Sequence, residues 1–280
     1  MRAIILAAGR GSRLIGNENG PPKCLAQVGE MSLIERQIQA LQMEGIDRII
    51  TVIGFGAEQV REVCGPTIEY IENTRHDKTN SLFSLWLARE KMTEGFIVLN
   101  ADVLFHPQIL KDLLADPHED ALLLAHHDRE MPPMGDEEMK VRLRHGRVID
   151  IGKELNPRKV DGENVGIVKF GRDGAQLLVQ KMDALIHRGI HRAWAPRAFR
   201  DFALERPLYA VPTKNHPWIE IDFPEDYFRA VNEILPMIVC DQGVRPRPKQ
   251  RLAARSVAAA QLGGSIAHEL TRHDQLRSQD

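Results

Sequence analysis

The sequence predicts an α/β fold in which a mostly parallel, partly mixed sheet carries helices on both faces. Short runs of β-branched and other apolar residues alternate with amphipathic stretches in the order β-α-β-α-β-α-β over the first 125 residues. The length of 280 residues suits one large or two small units with a sizeable core. Apolar residues make up 43% and charged residues 27%, which is ordinary for a globular chain.

The first half supplies the alternating elements. A strand over 3–7 runs into a glycine-containing loop, and Ser32 with Glu35 has the spacing of a capping box opening a helix that Gly45 ends. Further strands are expected over 49–53, 67–71, 96–99 and 121–125, with helices over 57–63 and 81–92 and from Pro107. Because ligands of such sheets bind beyond the carboxyl ends of strands, the glycine loop and Asp102 are expected on one rim.

The second half is more irregular. His145-Gly146 separates two alternating runs at 140–144 and 147–151, which indicates a hairpin. Strands are expected at 165–170, 209–212 and 218–221, and helices at 176–186 and 224–235. From residue 241 the chain becomes rich in Arg, Ala, Gln and Ser. We therefore predict one domain over 1–240, with halves of about 1–125 and 126–240, followed by a flexible or partly helical tail over 241–280 with a helix around 251–261.

Charge and apolar runs argue against several classes of protein. The 37 Lys and Arg nearly balance the 39 Asp and Glu, for a net charge of −2, which disfavours a nucleic-acid binder. No apolar run approaches the ~18 residues of a membrane span, and the run after Met1 is too short for a signal-peptide core. The scattered cysteines Cys24, Cys64 and Cys240 indicate neither a disulfide framework nor a CxxC metal site. We expect a cytoplasmic protein without a nucleic-acid or membrane partner.

The stretch LAAGRGSRL, followed by Pro22-Lys23, is the strongest functional signal. Small residues at a strand end let the backbone approach a ligand, and consecutive N–H groups can form an anion-binding nest. Arg13 and Lys23 add positive charge over the same space. The loop lacks the Gly-Lys-Ser/Thr of a Walker A motif and the third glycine of GxGxxG. The structural alternative is a tight strand-to-helix turn with surface cations.

These motifs resemble the nucleotidyltransferase superfamily that includes the sugar-phosphate nucleotidylyltransferases. The GxGxRL loop of that superfamily and its later proline–lysine pair correspond here to Gly9, Gly11, Arg13, Leu14, Pro22 and Lys23. The stretch that begins at Asn80-Ser81 is more similar to the phosphocholine cytidylyltransferase branch. The resemblance covers about residues 1–235, is strongest over 1–105 and 216–230, and implies a Rossmann-like fold of the nucleotidyltransferase type.

The resemblance implies how CTP, or another nucleoside triphosphate, would be held. Arg13 and the backbone N–H groups of residues 9–12 would hold the β- and γ-phosphates, and Lys23 would neutralise charge at the α-phosphate. The end of the first strand and the Asn80-Ser81 segment would contact the base and ribose. The implied nucleotide-binding residues are Leu6, Ala7, Ala8, Gly9, Gly11, Ser12, Arg13, Lys23, Asn80 and Ser81. The implied catalytic residues are Lys23, Arg13, Asp102 and Asp222.

Two aspartates at predicted strand ends correspond to the superfamily's Mg²⁺ ligands. Asp102 stands in LNADVLF and Asp222 in WIEIDFPED. Two hard oxygen ligands suit Mg²⁺, which takes substrate phosphates and waters as its other ligands. As structural alternatives, Asp102 could cap a turn before the Pro107 helix and Asp222 could be the N-cap of the 224–235 helix. Glu220 is assigned to the opposite face of its strand by alternation and is a weaker candidate.

The acceptor side carries looser signals. Lys153 corresponds to a lysine that binds the acceptor phosphate in sugar enzymes of the superfamily, and an ordinary surface lysine is the alternative. Glu163 and Asn164 resemble a strand entry that lines the acceptor pocket in relatives, with a simple turn as the alternative.

Aromatic residues are scarce, and four of them fall in the part of the second half where the acceptor would sit. Trp194 and Trp218, with Phe199 and Tyr209, could form a cage that attracts a quaternary ammonium group by cation–π interaction. Aromatic residues scattered through the core explain the same pattern, and that interpretation is favoured.

The expected reaction is Mg²⁺-dependent transfer of CMP from CTP to a small phosphate or phosphonate acceptor, phosphocholine-like, with release of pyrophosphate. The preference for CTP rests on the resemblance. The segment 131–165 is longer and more basic than expected for a phosphocholine enzyme, which argues against choline, and phosphonates, inositol phosphate or another small phosphorylated alcohol fit as well. One alternative is a sugar-1-phosphate nucleotidylyltransferase. A second alternative is a non-catalytic nucleotide-binding regulatory homologue. A homodimer is a possible assembly.

Overall fold

A nine-stranded mixed sheet forms the centre of the structure. The computed structural model describes residues 1–15, 20–128, 130 and 132–241, so the expected tail helix around 251–261 lies outside the described residues. The strands are β1 (Arg2–Ala7), β2 (Gln27–Val28), β3 (Met31–Ser32), β4 (Ile49–Ile53), β5 (Glu69–Glu72), β6 (Phe96–Asn100), β7 (Val103–Phe105), β8 (Ala121–His126), β9 (Lys140–Arg144), β10 (Arg147–Gly152), β11 (Gly162–Phe170), β12 (Tyr209–Pro212) and β13 (Trp218–Glu220).

The helices lie between these strands along the chain. They are α1 (Ser12–Ile15), α2 (Leu33–Met43), α3 (Ala57–Cys64), α4 (Ser81–Leu87), α5 (Pro107–Ala115), α6 (Arg172–His187), α7 (Pro196–Ala203), α8 (Pro224–Arg229) and α9 (Leu235–Asp241). Short 3₁₀ turns occur at Lys23–Leu25 and Arg89–Lys91, and a π-helical turn at Ala230–Ile234 joins α8 to α9.

The strand order of the main sheet is β5-β4-β1-β6-β11-β8-β12-β10-β9. The four strands β5, β4, β1 and β6 are parallel, whereas β11 runs antiparallel to both of its neighbours, β6 and β8. The predicted α/β fold with a mixed sheet is therefore confirmed. Because β11 lies between β6 and β8, strands from the two sequence halves interleave in one sheet.

Helices cover both faces of this sheet. Along β1, Ala3, Ile5 and Ala7 face a core shared with α2, α3 and α5, whereas Ile4 faces a core shared with α4, α6 and α7. Successive strand side chains point to opposite faces, so a strand covered on both sides is apolar at every position. This explains why the short runs in the first half lack alternation. No helix within the described ranges combines the length and apolar character needed to cross a membrane.

Local signals produced several elements as expected. Ser32 and Glu35 form a capping box in which Glu35 Oε2 accepts from the Ser32 N–H at 2.8 Å. His145 and Gly146 have φ values of 52° and 74°, so the β9–β10 hairpin turns through two left-handed residues. The helix expected over 81–92 is shorter, because α4 ends at Leu87 and the chain continues into a 3₁₀ turn.

A third hydrophobic cluster packs the C-terminal helices beneath the glycine loop. It joins Leu14 of α1, just after the glycine loop, to Leu104 of β7 and to Ile219 and Ile221 of the β13 region, with Tyr227 of α8. Tyr227 Oη also donates to the backbone carbonyl of Gln27 at 2.7 Å. This packing brings the region around residue 222 next to the loop that follows β1.

Candidate active site

A cavity of about 310 Å³ opens where β1 and β6 end at their carboxyl termini. Its walls come from the loop after β1, the start of α4, the turn after β6 and the segments that flank the β9–β10 hairpin. All ten residues expected to contact a nucleotide line it: Leu6, Ala7, Ala8, Gly9, Gly11, Ser12, Arg13, Lys23, Asn80 and Ser81. Asp102, Asp222, Lys153, Asn164 and Trp194 also line it. One rim thus brings together residues from distant parts of the chain.

Gly11 allows Lys23 to enter this cavity. Gly11 has a φ of +72°, and a Cβ built on it would lie 2.4 Å from the Cβ of Lys23. Any side chain at position 11 would therefore be strained and would also displace Lys23. The backbone N–H of Lys23 donates to the Arg10 carbonyl at 3.3 Å, which holds the lysine against the loop.

The ammonium of Lys23 lies between two carboxylates. Its Nζ is 2.8 Å from Asp102 Oδ2 and 2.6 Å from Asp222 Oδ1. Burial disfavours the charged amine, but Asp102 and Asp222 outweigh this effect and raise the pKa of Lys23 above its ordinary value. The lysine therefore carries a full positive charge at the floor of the cavity.

Glu220 belongs to the same group of carboxylates, and its assignment to the opposite face was wrong. Oxygen atoms of Asp102, Glu220 and Asp222 lie within 4.8 Å of one another. Residues two apart on an extended chain share a face, so the alternation that was invoked places Glu220 beside Asp222. Burial, with the nearby charges of Asp102 and Asp222, raises the pKa of Glu220 to about 8.

The capping alternatives for the two aspartates do not describe this structure. Helix α8 begins after Phe223, and Asp226 Oδ2 accepts from the backbone N–H groups of Asp222 and Phe223 at 3.1 and 2.9 Å. Helix α5 is capped by His106, whose Nδ1 accepts from the Gln108 N–H at 3.1 Å. The carboxylates of Asp102 and Asp222 therefore remain directed at the cavity.

The donor set fits a hard divalent cation. Three carboxylates converge, and Asp102 Oδ1 is buried without a hydrogen-bond partner in the described part of the chain. A buried, unpaired carboxylate oxygen is costly unless a cation or donor satisfies it. Oxygen ligands of this type suit Mg²⁺.

A second group that could hold a metal comprises His106, His216 and Asp241, away from the cavity. His106 Nδ1 accepts a backbone hydrogen bond, so in the neutral ring Nε2 carries the proton. A protonated nitrogen has no lone pair to offer a metal, and the imidazole is better described as a helix cap that faces Asp241 at 3.2 Å.

Glu137 connects the nucleotide and acceptor sides of the cavity. Its Oε2 lies 2.9 Å from Arg13 Nη1 and 2.9 Å from Lys153 Nζ. Hydrogen bonds from Lys153 and Arg13 lower the pKa of Glu137 to about 2. A second guanidinium nitrogen of Arg13, Nη2, donates to Asp222 at 2.9 Å, and the Cζ atom of Arg13 lies 4.9 Å from the centre of the Phe223 ring. Glu137 was not among the predicted site residues.

The expected acceptor residues separate into two groups. Lys153, Asn164 and Trp194 line the cavity, and Lys153 Nζ lies 4.8 Å from the centre of the Trp194 ring. Glu163 stands behind them in β11, where burial, followed by the charge of Glu138, raises its pKa to about 7. Trp218 is partly buried against the hydrophobic core beneath α5, away from the cavity wall.

The aromatic residues do not form a cage in this structure. Phe199 is buried in the core beneath α7, and Tyr209 stacks on His118 at a ring distance of 3.6 Å. Of the four candidates, Trp194 alone lines the cavity. The favoured interpretation, aromatic residues scattered through the core, describes the other three.

Asn80 and Ser81 are held by contacts with the segment before α7. Asn80 caps α4, since its Oδ1 accepts from the Ser81 N–H at 2.7 Å, and Ser81 Oγ accepts from the Ala195 N–H at 2.8 Å. Buried Asn73 extends this polar wall by donating to Thr79 and Ser84 at 3.0 Å each. Asn73 immediately follows β5, so its position after a strand was the signal that could have identified it.

Curated proteins of similar sequence include transferases and cytidylyltransferases. One of them is the bifunctional IPC transferase and DIPP synthase of Rubrobacter xylanophilus, which is 30% identical over 230 residues that cover 80% of this chain and 50% of the relative. This chain thus spans about half the length of that relative. The CTP:phosphoglutamine cytidylyltransferase of Campylobacter jejuni is 28% identical over 185 residues, covering 61% of this chain and 73% of the relative.

Solved structures share the fold. The CTP:phosphocholine cytidylyltransferase of Streptococcus pneumoniae superposes with a TM-score of 0.66 at 24% identity, covering 84% of this chain and 98% of that chain. The family of MobA-like NTP transferase domains matches residues 3–200, which include the glycine loop, Lys23, Asp102 and most of the cavity. Because this match spans well over half of the sequence, the chain belongs to the MobA-like NTP transferase domain family.

Proposed function

We propose that this protein is a Mg²⁺-dependent cytidylyltransferase that transfers CMP from CTP to a small phosphate or phosphonate acceptor and releases pyrophosphate. The observation that carries the proposal is the arrangement of Lys23 and Arg13 beside Asp102, Glu220 and Asp222 in one cavity. Nucleotidyl transfer requires cationic side chains that bind the phosphates, together with a convergent set of carboxylates. The preference for CTP is supported by relatives whose names state that they use it.

Arg13 and Lys23 would bind different phosphates of the nucleotide. Arg13 stands at the open side of the loop, with a side chain that is 41% exposed, where it can meet the β- and γ-phosphates that leave. Lys23 is buried deeper and would neutralise charge that develops at the α-phosphate. The loop residues 9–12 would approach the same phosphates through their backbone N–H groups.

The acceptor would enter from the side of Lys153 and Trp194. Lys153 lies on that wall of the cavity, and its amine would bind the acceptor's phosphate or phosphonate. Such an acceptor is ionised near pH 7, so its oxygen can attack the α-phosphorus without a general base. Holding the two substrates in line would then provide much of the rate increase.

Asp102 and Asp222, with Glu220 beside them, would hold Mg²⁺. When bound, the ion offsets negative charge on the phosphates and fixes the relative orientation of the two substrates. The amine of Lys23 lies against both Asp102 and Asp222 and offsets part of their negative charge.

The proposal is tested by measuring pyrophosphate release with Mg²⁺. CTP, UTP, GTP, ATP and dTTP are each combined with phosphocholine, phosphoethanolamine, small phosphonates, inositol phosphate and hexose 1-phosphates. Release with CTP and a non-sugar acceptor is the expected result. Turnover only with a hexose phosphate would instead identify a sugar-1-phosphate nucleotidylyltransferase.

A matched pair of lysine variants separates catalysis from nonspecific loss of charge. Lys23→Met is expected to abolish turnover, whereas Lys111→Met, at an exposed position of α5, should leave it unchanged.

Asp222→Ala addresses the regulatory alternative, because an enzyme loses turnover while a non-catalytic binding protein would keep both nucleotide affinity and function. No release from any substrate pair, together with intact nucleotide binding, would contradict the proposal.

A further inference from the structure

Gln37 is a buried amide in the middle of α2. Its side chain is 1% exposed, and its Nε2 donates to the backbone carbonyls of Asn100 and Val103, at 2.9 Å each. Both amide hydrogens are therefore used. These two carbonyls flank Ala101 and Asp102, so Gln37 bridges the two sides of the turn between β6 and β7.

The orientation of this amide is fixed by its partners. If the group were flipped, Oε1 would face two carbonyl oxygens and no hydrogen bond would form. Oε1 itself is buried, and nothing among the described residues donates to it. An apolar side chain would avoid the cost of this unpaired oxygen. The two donated hydrogen bonds, rather than packing, account for a glutamine at this position.

The turn that Gln37 bridges is hydrogen-bonded to the strands that carry the other parts of the site. The backbone carbonyl of Asp102 accepts from the N–H of Ile221 at 3.0 Å, and Ile221 stands between Glu220 and Asp222. The N–H of Ala101 donates to the carbonyl of Leu6 at 3.2 Å, at the end of β1. A shift of this turn would therefore move Asp102 relative to both the glycine loop and the other two carboxylates.

We propose that Gln37 is a positioning residue for the carboxylate of Asp102, and that it contributes to divalent-cation affinity without touching the cation. The inference rests on the metal site of the proposed function. Groups that orient a metal ligand in this way typically change metal affinity 10–100-fold when they are removed.

The test compares two identical substitutions in one helix. Gln37→Met preserves the approximate volume and removes both donors, whereas Gln39→Met changes an exposed position of α2. Mn²⁺ is the probe, and its affinity is measured from the electron paramagnetic resonance signal of the free ion. We expect the Mn²⁺ dissociation constant to rise about tenfold in Gln37→Met and to stay unchanged in Gln39→Met.

Additional variants make each result decisive. Gln37→Glu keeps the shape of the side chain but lacks the NH₂ group, and it replaces Gln37→Met if the methionine variant does not fold, as judged by circular dichroism. A folded Gln37 variant with wild-type Mn²⁺ affinity would overturn the inference, even if its melting temperature were lower. Asp102→Asn is measured in parallel. If that variant also binds Mn²⁺ normally, the metal site of the proposed function is wrong, which distinguishes the two failures.

Discussion

Lys23 and Asp222 meet at 2.6 Å although 199 residues separate them in the chain. Lys23 follows the first strand, and Asp222 follows the last, β13. Their contact fixes the C-terminal part of the site against the glycine loop. The amine of Lys23 lies between the carboxylates of Asp102 and Asp222, so it offsets part of their negative charge.

Removing the charge of Asp222 is expected to reduce kcat/KM at least ~100-fold, since a charge-stabilising group of a phosphoryl-transfer site is lost. Asp222→Asn keeps the shape of the side chain, and steady-state kinetics measures the effect. Asp47→Asn, at an exposed position far from the cavity, serves as the control. If the activity of Asp222→Asn stayed within a factor of two of the wild type, this carboxylate would not be needed for catalysis.

Gly11→Ala is expected to impair both folding and catalysis. A left-handed φ costs an alanine ~1–2 kcal/mol, and the new Cβ would also displace Lys23. Gly45→Ala is the matched control, because Gly45 has a φ of +75° with nothing within 4 Å of its Cβ position. Urea unfolding should show a loss of stability in both variants, whereas only Gly11→Ala should lose turnover. Equal activity in the two would mean that Lys23 tolerates displacement.

Glu137→Gln is expected to lower the KM for nucleotide or acceptor about two- to fivefold and to leave kcat unchanged. Glu137 occupies Arg13 and Lys153, the cations that the phosphates would need, and exposed ion pairs contribute only about 0.5–1 kcal/mol. Its pKa of about 2 keeps it ionised throughout any practical assay range, so the competition should not vary with pH. Glu130→Gln in the same segment is the control. An increase in KM would show that Glu137 instead holds the two cations in place.

The protein should lose stability as the pH rises from about 4.5 to 7, in part through Glu163. Burial raises the pKa of this carboxyl to about 7 from an ordinary 4.5, so the folded state binds more protons than the unfolded state in that interval. Glu163→Gln should remove this contribution. Between pH 4.5 and pH 8, the free energy of unfolding of the wild type should therefore fall by about 2–3 kcal/mol more than that of the variant. Urea unfolding at both pH values measures this difference, and Glu62→Gln, at an exposed position, should show none.

The nucleotide side of the cavity could be predicted from the sequence because its signals are local. Gly11, Arg13 and Lys23 lie within one short motif, and their residue types match a phosphate-binding loop. Asp102 could be placed on the same rim because the carboxyl ends of the parallel strands β1 and β6 meet there.

The acceptor side could not be predicted to the same extent. Glu137 reaches Arg13 and Lys153 from an irregular segment, and no periodicity indicates where such a residue points. Trp218 is of a residue type that often contacts ligands, but it packs on the hydrophobic core. Helix α7 was also missed, because its residues lie in a polar and aromatic stretch and Ala195 offers no side-chain cap. Glu220 was misassigned through an error in applying strand alternation, not for want of a signal.

Strand β11 ties the two sequence halves together within one sheet. It exchanges backbone hydrogen bonds with β6 along one edge and with β8 along the other, so the halves cannot separate without breaking this strand pairing. Separation would break a ladder of buried hydrogen bonds, and the amides of β11 should therefore be among the slowest to exchange with solvent. The strands that carry the cavity are therefore expected to keep their relative positions when substrates bind.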